Sequence, residues 1–148
     1  MDKWQLNFLS LAKELSKWSK DPSTKIGAVA VGPNRRILAT GYNGFPRGIE
    51  DTVERLSNKA LKYVYVVHGE MNCIYNATLN GVSLDGADLY VHGLPVCSDC
   101  AKGIIQVGFK RVFMCYPETL PDKWKESGLM TKNMFDETGI EYTHYNGE

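Results

Sequence analysis

Two short segments of the chain combine side chains that bind transition metals with one that carries protons. His68 precedes Glu70 by two positions, and Cys97 precedes Cys100 by three. Imidazole nitrogens and thiolate sulfurs are common zinc ligands, and a catalytic zinc ion typically keeps three protein ligands and one open tetrahedral position for water. The sequence therefore predicts a catalytic zinc ion held by His68, Cys97 and Cys100.

Glu70 is the candidate group for proton transfer at this metal. Zinc lowers the pKa of a bound water molecule to around 7, and a base must still accept the proton. Glu70 follows His68 closely enough to reach that water without binding the metal itself. A carboxylate in this position can accept the proton and return it elsewhere, which predicts general acid and base catalysis.

The same residue types are also compatible with sites other than a catalytic zinc centre. The close cysteine pair could form a thioredoxin-like dithiol, although the flanking residues of that motif are missing. A closed structural zinc site would need Cys73 and Cys115 as well, but both lie in apolar segments typical of core side chains. His92 and His144 lie in strand-like segments, so we interpret them as ordinary strand residues.

Both metal-binding segments lie where a strand or loop turns into a helix. One helix is predicted over residues 69–79, where an Asn-Gly pair at 80–81 supplies the stop signal. A second helix is predicted from a cap at Ser98 or Asp99 to about residue 107. Because a helix N-terminus favours thiolate over thiol, two such helix starts that face each other would bring the three ligands together.

The remaining pattern alternates strands with helices. Apolar residues from Trp4 to Trp18 recur at steps of three or four, which predicts a helix over roughly residues 2–18 packed on a core rather than on a membrane surface. We expect a three-layer α/β/α fold, with a central mixed sheet of about five strands flanked by helices, in one domain spanning residues 1–148. The other predicted elements are a hairpin of strands at 26–31 and 36–40, a glycine-rich loop at 41–48, a stretch at 50–66 that begins as a helix, strands at 87–91, 111–115 and 140–143, and a helix at about 128–137.

The charge balance argues against a long nucleic acid as a partner. Seventeen basic residues match seventeen acidic ones, so no net positive field would hold a polynucleotide backbone, and a small substrate is favoured. Charged residues interrupt the apolar N-terminal segment, and no later window suits a membrane span. The close cysteine pair without a secretory signal favours a reducing compartment, so we expect a cytoplasmic protein without membrane contacts.

The two metal-binding segments together resemble the signature of zinc deaminases. In that signature one residue separates a histidine from a glutamate. A proline and two cysteines follow later, with two residues between the cysteines. Here residues 68–70 read HGE and residues 95–100 read PVCSDC, in which Val96 is inserted before the first cysteine. Residues 19–28 and 41–48 are also similar to segments of the deoxycytidylate (dCMP) deaminases of the cytidine deaminase superfamily, and the likeness spans about residues 4–116. The resemblance implies the fold of that superfamily and one zinc ion as cofactor.

The resemblance also implies a reaction, the hydrolytic deamination of dCMP to dUMP and ammonia by a zinc-activated water, which supplies dUMP for thymidylate synthesis. Attack at C4 of the cytosine ring would be accompanied by proton delivery from Glu70 to N3 and to the exocyclic nitrogen. One alternative is a deaminase of another base, in cytidine or in transfer RNA adenosine, and the balanced charge weakens the second of these. The other alternative is an inactive nucleotide-binding regulator, which would have no need of Glu70.

Further residues acquire roles by resemblance alone. Asn43 would hold the base or sugar, and Tyr116 would close over the sugar and phosphate. Members of the family are commonly homo-hexamers that dCTP activates and dTTP inhibits, each bound with Mg²⁺ at an allosteric site. The remaining candidates are Lys20, Ser23 and Thr24 for the 5′-phosphate, and Gly41, Tyr42, Asn43 and Gly44 for the allosteric site. Each of these candidates, including Tyr116, could instead be an ordinary turn or strand residue.

Overall fold

One five-stranded mixed sheet organises the chain. A computed structural model describes residues 1–147, and residue 148, the last of the predicted domain, lies outside the described residues. Strand β1 (Gly27–Gly32) is antiparallel to both β2 (Arg36–Tyr42) and β3 (Asp88–His92), whereas β3, β4 (Arg111–Cys115) and β5 (Glu141–Tyr145) run parallel. The strand order across the sheet is β2-β1-β3-β4-β5.

Helices cover both faces of this sheet. Helix α1 packs on one face, and α4 and α5 carry the apolar core on the other. The predicted three-layer α/β/α fold with about five strands is therefore confirmed. The α-helices of residues 1–147 are α1 (Lys3–Ser16), α2 (Val53–Ser57), α3 (Lys59–Tyr65), α4 (Gly69–Leu79), α5 (Ser98–Gln106) and α6 (Asp122–Thr138).

Helix α1 confirms the predicted N-terminal helix but buries a narrower stripe than expected. Asp2 and Gln5 form a capping box that satisfies the first free N–H groups. Trp4 and Trp18, at the two ends of the predicted stripe, remain 40% and 60% exposed. The buried contact lies between them, because the helix touches the twisted sheet over its middle turns only. Its members are Phe8, Leu9, Ala12 and Leu15 of α1 packed on Val29, Val31, Tyr90 and Phe113 of the sheet.

The strand register places the helix starts at one edge of the sheet. Gly27 pairs with Tyr42 on one side and with His92 on the other, and His92 pairs with Cys115. Helix α5 follows β3 after the loop 93–97. Helix α4 begins beside the same row, because Gly69 lies in close contact with Ile26. The residues that precede both helices therefore meet beyond this edge.

The segment between β2 and α4 differs from its prediction in two ways. Strand β2 extends through Tyr42, so the first residues of the predicted loop at 41–48 belong to the sheet. The predicted helical stretch at 50–66 forms two short helices, α2 and α3, because Asn58 adopts an extended conformation between them. Asn58 ends α2 and caps α3 with its own side chain, which accepts a hydrogen bond from Leu61.

Helix α6 begins at Asp122, six residues earlier than the start predicted at residue 128. Its first turns are polar and lysine-rich, so they show no apolar periodicity, and Pro121 at the cap is the one local start signal. The last strand, β5, extends to Tyr145 rather than residue 143. No helix among residues 1–147 is both long enough and apolar enough to cross a bilayer.

Gly41 allows β2 and α4 to approach each other at backbone distance. A Cβ atom at this position would lie 2.3 Å from the Cys73 nitrogen and 2.7 Å from the Gly69 oxygen, both backbone atoms of α4. Such contacts are shorter than packed atoms tolerate, so any side chain at Gly41 would push α4 away from the sheet.

We expect Gly41→Ala to lower the free energy of unfolding by about 2 kcal/mol, the typical cost of overpacking a core. Gly128→Ala is the matched control. Gly128 lies within α6, and a Cβ atom there would be an ordinary 3.5 Å from the Pro95 side chain. That variant should gain up to about 1 kcal/mol from higher helix propensity. Urea denaturation measures both changes, and equal stabilities of Gly41→Ala and the unmodified protein would show that α4 moves away without cost.

Candidate metal centre and its cavity

The three predicted zinc ligands lie together where α4 and α5 begin. His68 is the cap residue of α4, Cys97 is the cap residue of α5, and Cys100 lies in the first turn of α5. Their ligand atoms all lie within 4.8 Å of one another. His68 Nδ1 is 3.3 Å from Cys100 Sγ and 3.4 Å from Cys97 Sγ. Tetrahedral zinc ligands with ordinary bond lengths lie roughly 3.5–3.8 Å apart, so the donor set fits one zinc ion.

The loop before Cys97 is fixed by α6 as well as by its own helix. Cys97 Sγ accepts a hydrogen bond from the Cys100 backbone N–H at 3.5 Å, so the cap of α5 is Cys97 and not the predicted Ser98 or Asp99. Val96, the residue inserted into the signature, is fully buried. Its carbonyl accepts a hydrogen bond from Thr131 Oγ1 of α6 at 2.8 Å. The inserted residue is thus part of the core, and the ligand that follows it remains at the helix start.

The electrostatics of the two thiols favour a cation that binds both of them. Hydrogen bonding from Cys100, and then from His68, lowers the pKa of Cys97 to about 4. The Cys97 sulfur in turn raises the pKa of the Cys100 thiol, and burial raises it further. The same sulfur raises the pKa of His68 to about 8. Two adjacent thiolates repel each other, and a divalent cation that binds both removes this repulsion and deprotonates both thiols.

Glu70 lies in the first turn of α4 and is 4% exposed. Burial, and then the negative charge of Cys97, raises the pKa of Glu70 to about 7. A carboxyl group with this pKa gains and loses a proton readily near neutral pH. Glu70 and His68 line the same cavity, so the arrangement places a proton carrier beside the metal ligands.

A cavity opens beside His68 and Cys97, and most of its lining surface is apolar. Ile26, Val66, Leu94, Pro95 and Trp124 form its apolar walls, which suit a flat ring. The polar and ionisable lining residues are Asp21, Thr24, Asn43, Lys62, Tyr63, His68, Glu70 and Cys97.

Asn43 lies in the cavity wall and is 3% exposed. Its Oδ1 accepts a hydrogen bond from the Ile26 backbone N–H, and its Nδ2 donates one to the Thr24 carbonyl, both at 2.8 Å. The amide thereby fixes the chain entering β1 to the chain leaving β2. It is placed at the cavity, as its predicted role requires, and the same side chain also joins the two segments.

The other predicted substrate residues are divided between the cavity and its surroundings. Thr24 lines the cavity, and Ser23 contacts the lining residue Lys62 through a hydrogen bond of 2.9 Å. Lys20 lies outside the cavity wall and forms an exposed ion pair with Asp51 at 3.1 Å. Tyr116 is also outside the wall, where its ring stacks on His144 with centroids 3.7 Å apart.

Three of the four residues of the predicted allosteric site line a second cavity. Tyr42, Asn43 and Gly44 contribute to its wall, together with Trp18 and Lys20. Gly41 does not, because it is buried against α4. The two cavities share the side chains of Asp21, Asn43 and Val66 in their walls.

Apart from aliphatic wall residues and Pro95, sequence reasoning missed the lining residues Asp21, Lys62, Tyr63 and Trp124. Asp21 lies within the turn that was singled out for its hydroxyls, so it could have been included. The other three come from α3 and from the unpredicted first turns of α6, and no local pattern connects them with the metal ligands.

The alternative of a closed structural zinc site with four cysteine ligands does not fit the structure. Cys73 is buried in the core cluster, and Cys115 ends β4. Within residues 1–147, the group of potential ligands that lie close enough to share an ion consists of His68, Cys97 and Cys100.

Comparison with known proteins identifies what this arrangement resembles. Residues 2–116 match the family described as the zinc-binding region of cytidine and deoxycytidylate deaminases. A probable deoxycytidylate deaminase of Drosophila melanogaster is 40% identical over 154 residues, covering 96% of this chain and 72% of that protein. Human deoxycytidylate deaminase is 34% identical over 149 residues, covering 96% and 79%. The crystal structure of dCMP deaminase from the cyanophage S-TIM5 in complex with dCMP and dUMP superimposes with a TM-score of 0.76 at 26% identity, covering 98% and 99% of the two chains.

We expect Cys97→Ser to lose its zinc, because a serine hydroxyl does not ionise at neutral pH as the Cys97 thiol does. The loss in affinity should exceed the roughly 10- to 100-fold that follows removal of a side chain that only orients a ligand. Cys115→Ser is the matched control, since burial raises the pKa of that thiol and it lies outside the ligand group. Elemental analysis of both dialysed proteins measures the effect. Full zinc content in Cys97→Ser, or equal loss in the control, would contradict the ligand assignment.

Proposed function

Because this chain belongs to the zinc-binding cytidine and deoxycytidylate deaminase family, as its sequence predicted, we propose that it hydrolyses dCMP to dUMP and ammonia. Family membership and the His68, Cys97 and Cys100 group make it a zinc-dependent hydrolase. The observation that carries the proposal is a buried carboxyl group beside those three ligands in one cavity with apolar walls.

The choice of dCMP rests on the relatives. The human relative is named a deoxycytidylate deaminase, and the phage structure holds dCMP and dUMP. Their similarity covers nearly all of this chain, including the cavity and the helices that bound it. A substrate that is a pyrimidine nucleotide also suits a cavity with apolar walls and a few polar groups.

Zinc is the proposed cofactor, with His68 Nδ1, Cys97 Sγ and Cys100 Sγ as its ligands. When bound, a zinc ion supplies a Lewis acid that lowers the pKa of water to about 7. The fit rests on the donor types and on atoms that lie within 4.8 Å of one another.

Glu70 is the proposed proton carrier. It accepts one proton from the attacking water and delivers it to N3 of the cytosine ring, while the water oxygen forms a bond to C4. The second proton of the water reaches the exocyclic nitrogen, the bond from C4 to that nitrogen breaks, and ammonia leaves. The oxygen remains as the C4 carbonyl of dUMP. Because burial raises the pKa of Glu70 to about 7, its carboxyl group can act in both directions at neutral pH.

Asn43 and Thr24 are the proposed contacts to the nucleoside. Both lie in the cavity wall. One donor of the Asn43 amide is committed to Thr24 and its oxygen is committed to Ile26, which leaves its second N–H for a substrate acceptor. The rigid attachment of this amide would orient that N–H before the substrate arrives.

We extend the proposal to the properties that the resemblance to the dCMP deaminases implies. The product dUMP would feed thymidylate synthesis, in the cytoplasm. A homo-hexamer would be activated by dCTP and inhibited by dTTP, each with Mg²⁺. The second cavity, with Tyr42, Asn43 and Gly44 in its wall, is the candidate effector site. A polynucleotide substrate is not proposed, since seventeen basic residues are balanced by seventeen acidic ones.

A panel of substrates tests the proposed activity. We expect the zinc-loaded protein to release ammonia from dCMP faster than from cytidine, deoxycytidine or an adenosine-containing RNA. The same assay with dCTP or dTTP and Mg²⁺ tests regulation. Preference for an unphosphorylated nucleoside would defeat the assignment to dCMP.

We expect Glu70→Gln to lower kcat for dCMP by roughly two to four decades, because an amide cannot accept and return a proton. The substitution keeps the shape of the side chain, so zinc content and the urea midpoint should stay close to those of the unmodified protein. Glu54→Gln, an exposed glutamate of α2, is the control and should retain full activity. A fully active Glu70→Gln enzyme would show that another group carries the proton.

A further inference from the structure

We propose that Lys62 and Lys123, which approach Tyr63 from α3 and α6, bind the 5′-phosphate and so make the enzyme specific for a nucleotide over a nucleoside. The inference rests on the proposed function, since it names the recognition element for the phosphate of dCMP. It replaces Lys20, the cation that the sequence suggested, because Lys20 is paired with Asp51 and lines the second cavity instead.

Lys62 is a cation built into the cavity wall. It is 5% exposed, and lysine is rarely buried to this extent without a partner or a purpose. Its ammonium donates to Asp21 Oδ1 at 3.2 Å and to Ser23 Oγ at 2.9 Å. An ammonium group has three donors, so one remains for a ligand in the cavity that Lys62 lines.

Asp21 holds Lys62 in place through a buried ion pair. Burial acts to raise the pKa of Asp21, but hydrogen bonds from the backbones of Thr24 and Ser23, and from Lys62, lower it below its ordinary value. Those donors all end on one oxygen, Oδ1. The negative charge of Asp21 is therefore largely committed to its own turn, and Lys62 is oriented before any ligand binds.

Lys123 supplies the second cation from α6; it is exposed and, unlike Lys62, lies outside the cavity wall. It lies in the first turn of α6, next to the lining residue Trp124, and donates to the Tyr63 hydroxyl at 3.2 Å. The ammonium groups of Lys62 and Lys123 each lie 5.7 Å from the centre of the Tyr63 ring. Hydrogen bonding from Lys123 lowers the pKa of Tyr63.

This arrangement matches a phosphate better than any other part of the substrate. A phosphomonoester carries close to two negative charges at neutral pH and accepts several charge-assisted hydrogen bonds. The two ammonium groups and the Tyr63 hydroxyl provide complementary donors from α3 and α6, whereas the Ser23 hydroxyl donates to Asp21 Oδ1. A nucleoside without the phosphate would leave those donors without an anion.

The test compares Lys62→Met and Lys123→Met with the control Lys17→Met. Lys17 is exposed and pairs with Glu14. kcat/KM is measured for dCMP and for deoxycytidine in zinc-loaded proteins. Lys62→Met and Lys123→Met, the two cavity variants, should each lower kcat/KM for dCMP by roughly 10- to 100-fold, mainly by raising KM. This is the effect expected from the loss of one charge-assisted hydrogen bond. The value for deoxycytidine should stay within about threefold, and the control should change neither substrate.

A second probe covers the case in which Lys62→Met folds poorly because Asp21 loses its partner. Lys123 is exposed, so Lys123→Met should keep its fold and its zinc content. Inhibition by 2-deoxyribose 5-phosphate, which lacks the base, should weaken in Lys123→Met but not in Lys17→Met.

The outcomes separate this inference from the proposed function. If the unmodified protein prefers dCMP and both cavity variants keep that preference unchanged, the phosphate assignment alone is wrong. An equal fall for dCMP and deoxycytidine would likewise assign Lys62 and Lys123 a structural role only. An unmodified protein that prefers deoxycytidine would overturn the proposed function and the inference together.

Discussion

The convergence of two helix N-termini at one edge of the sheet is the constraint on which the site depends. His68 and Cys97 lie 29 positions apart in the chain, yet each caps a helix that starts beyond the same row of paired strand residues. Helix N-termini carry free N–H groups and a partial positive charge, which stabilise thiolates. The sheet thus fixes the position of the ligands, and the helix ends adjust their chemistry.

Much of this arrangement could be predicted from the sequence, because the signals are local. Helix α4 agrees with its prediction at both ends, and α5 begins and ends within two residues of its prediction, since both helices begin at the metal-binding segments. The ligand group could be predicted because its residue types and spacing are restrictive. The early start of α6 could not be predicted, because the polar first turns of that helix lack periodicity. Lys62 and Trp124 reach the cavity through tertiary packing alone, so the sequence offered no reason to associate them with His68.

The site concentrates groups that a stable core would avoid. Glu70, Asp21 and Lys62 are all buried, and the acidic Cys97 thiol lies beside the Cys100 thiol, whose pKa is raised. A buried ionisable group costs stability unless a partner of opposite charge compensates it. Lys62 and Asp21 compensate each other, whereas burial of Glu70 outweighs the opposing charge of His68, so the pKa of Glu70 rises. The unusual pKa that suits proton transfer is therefore a direct product of an unfavourable environment.

Helix α6 gives the C-terminal part of the chain a share in the metal centre. The segment that matches the family ends at residue 116, whereas Thr131, which donates to the Val96 carbonyl, and Ser127, which accepts from the Ser98 N–H, lie beyond it in α6. A recombinant fragment cut at the family boundary would keep every ligand and yet lack the brace beside them. The segment that carries the motif is thus shorter than the segment needed to hold the ligands in place. Sequence signatures of this kind locate the reacting groups but not the residues that position them.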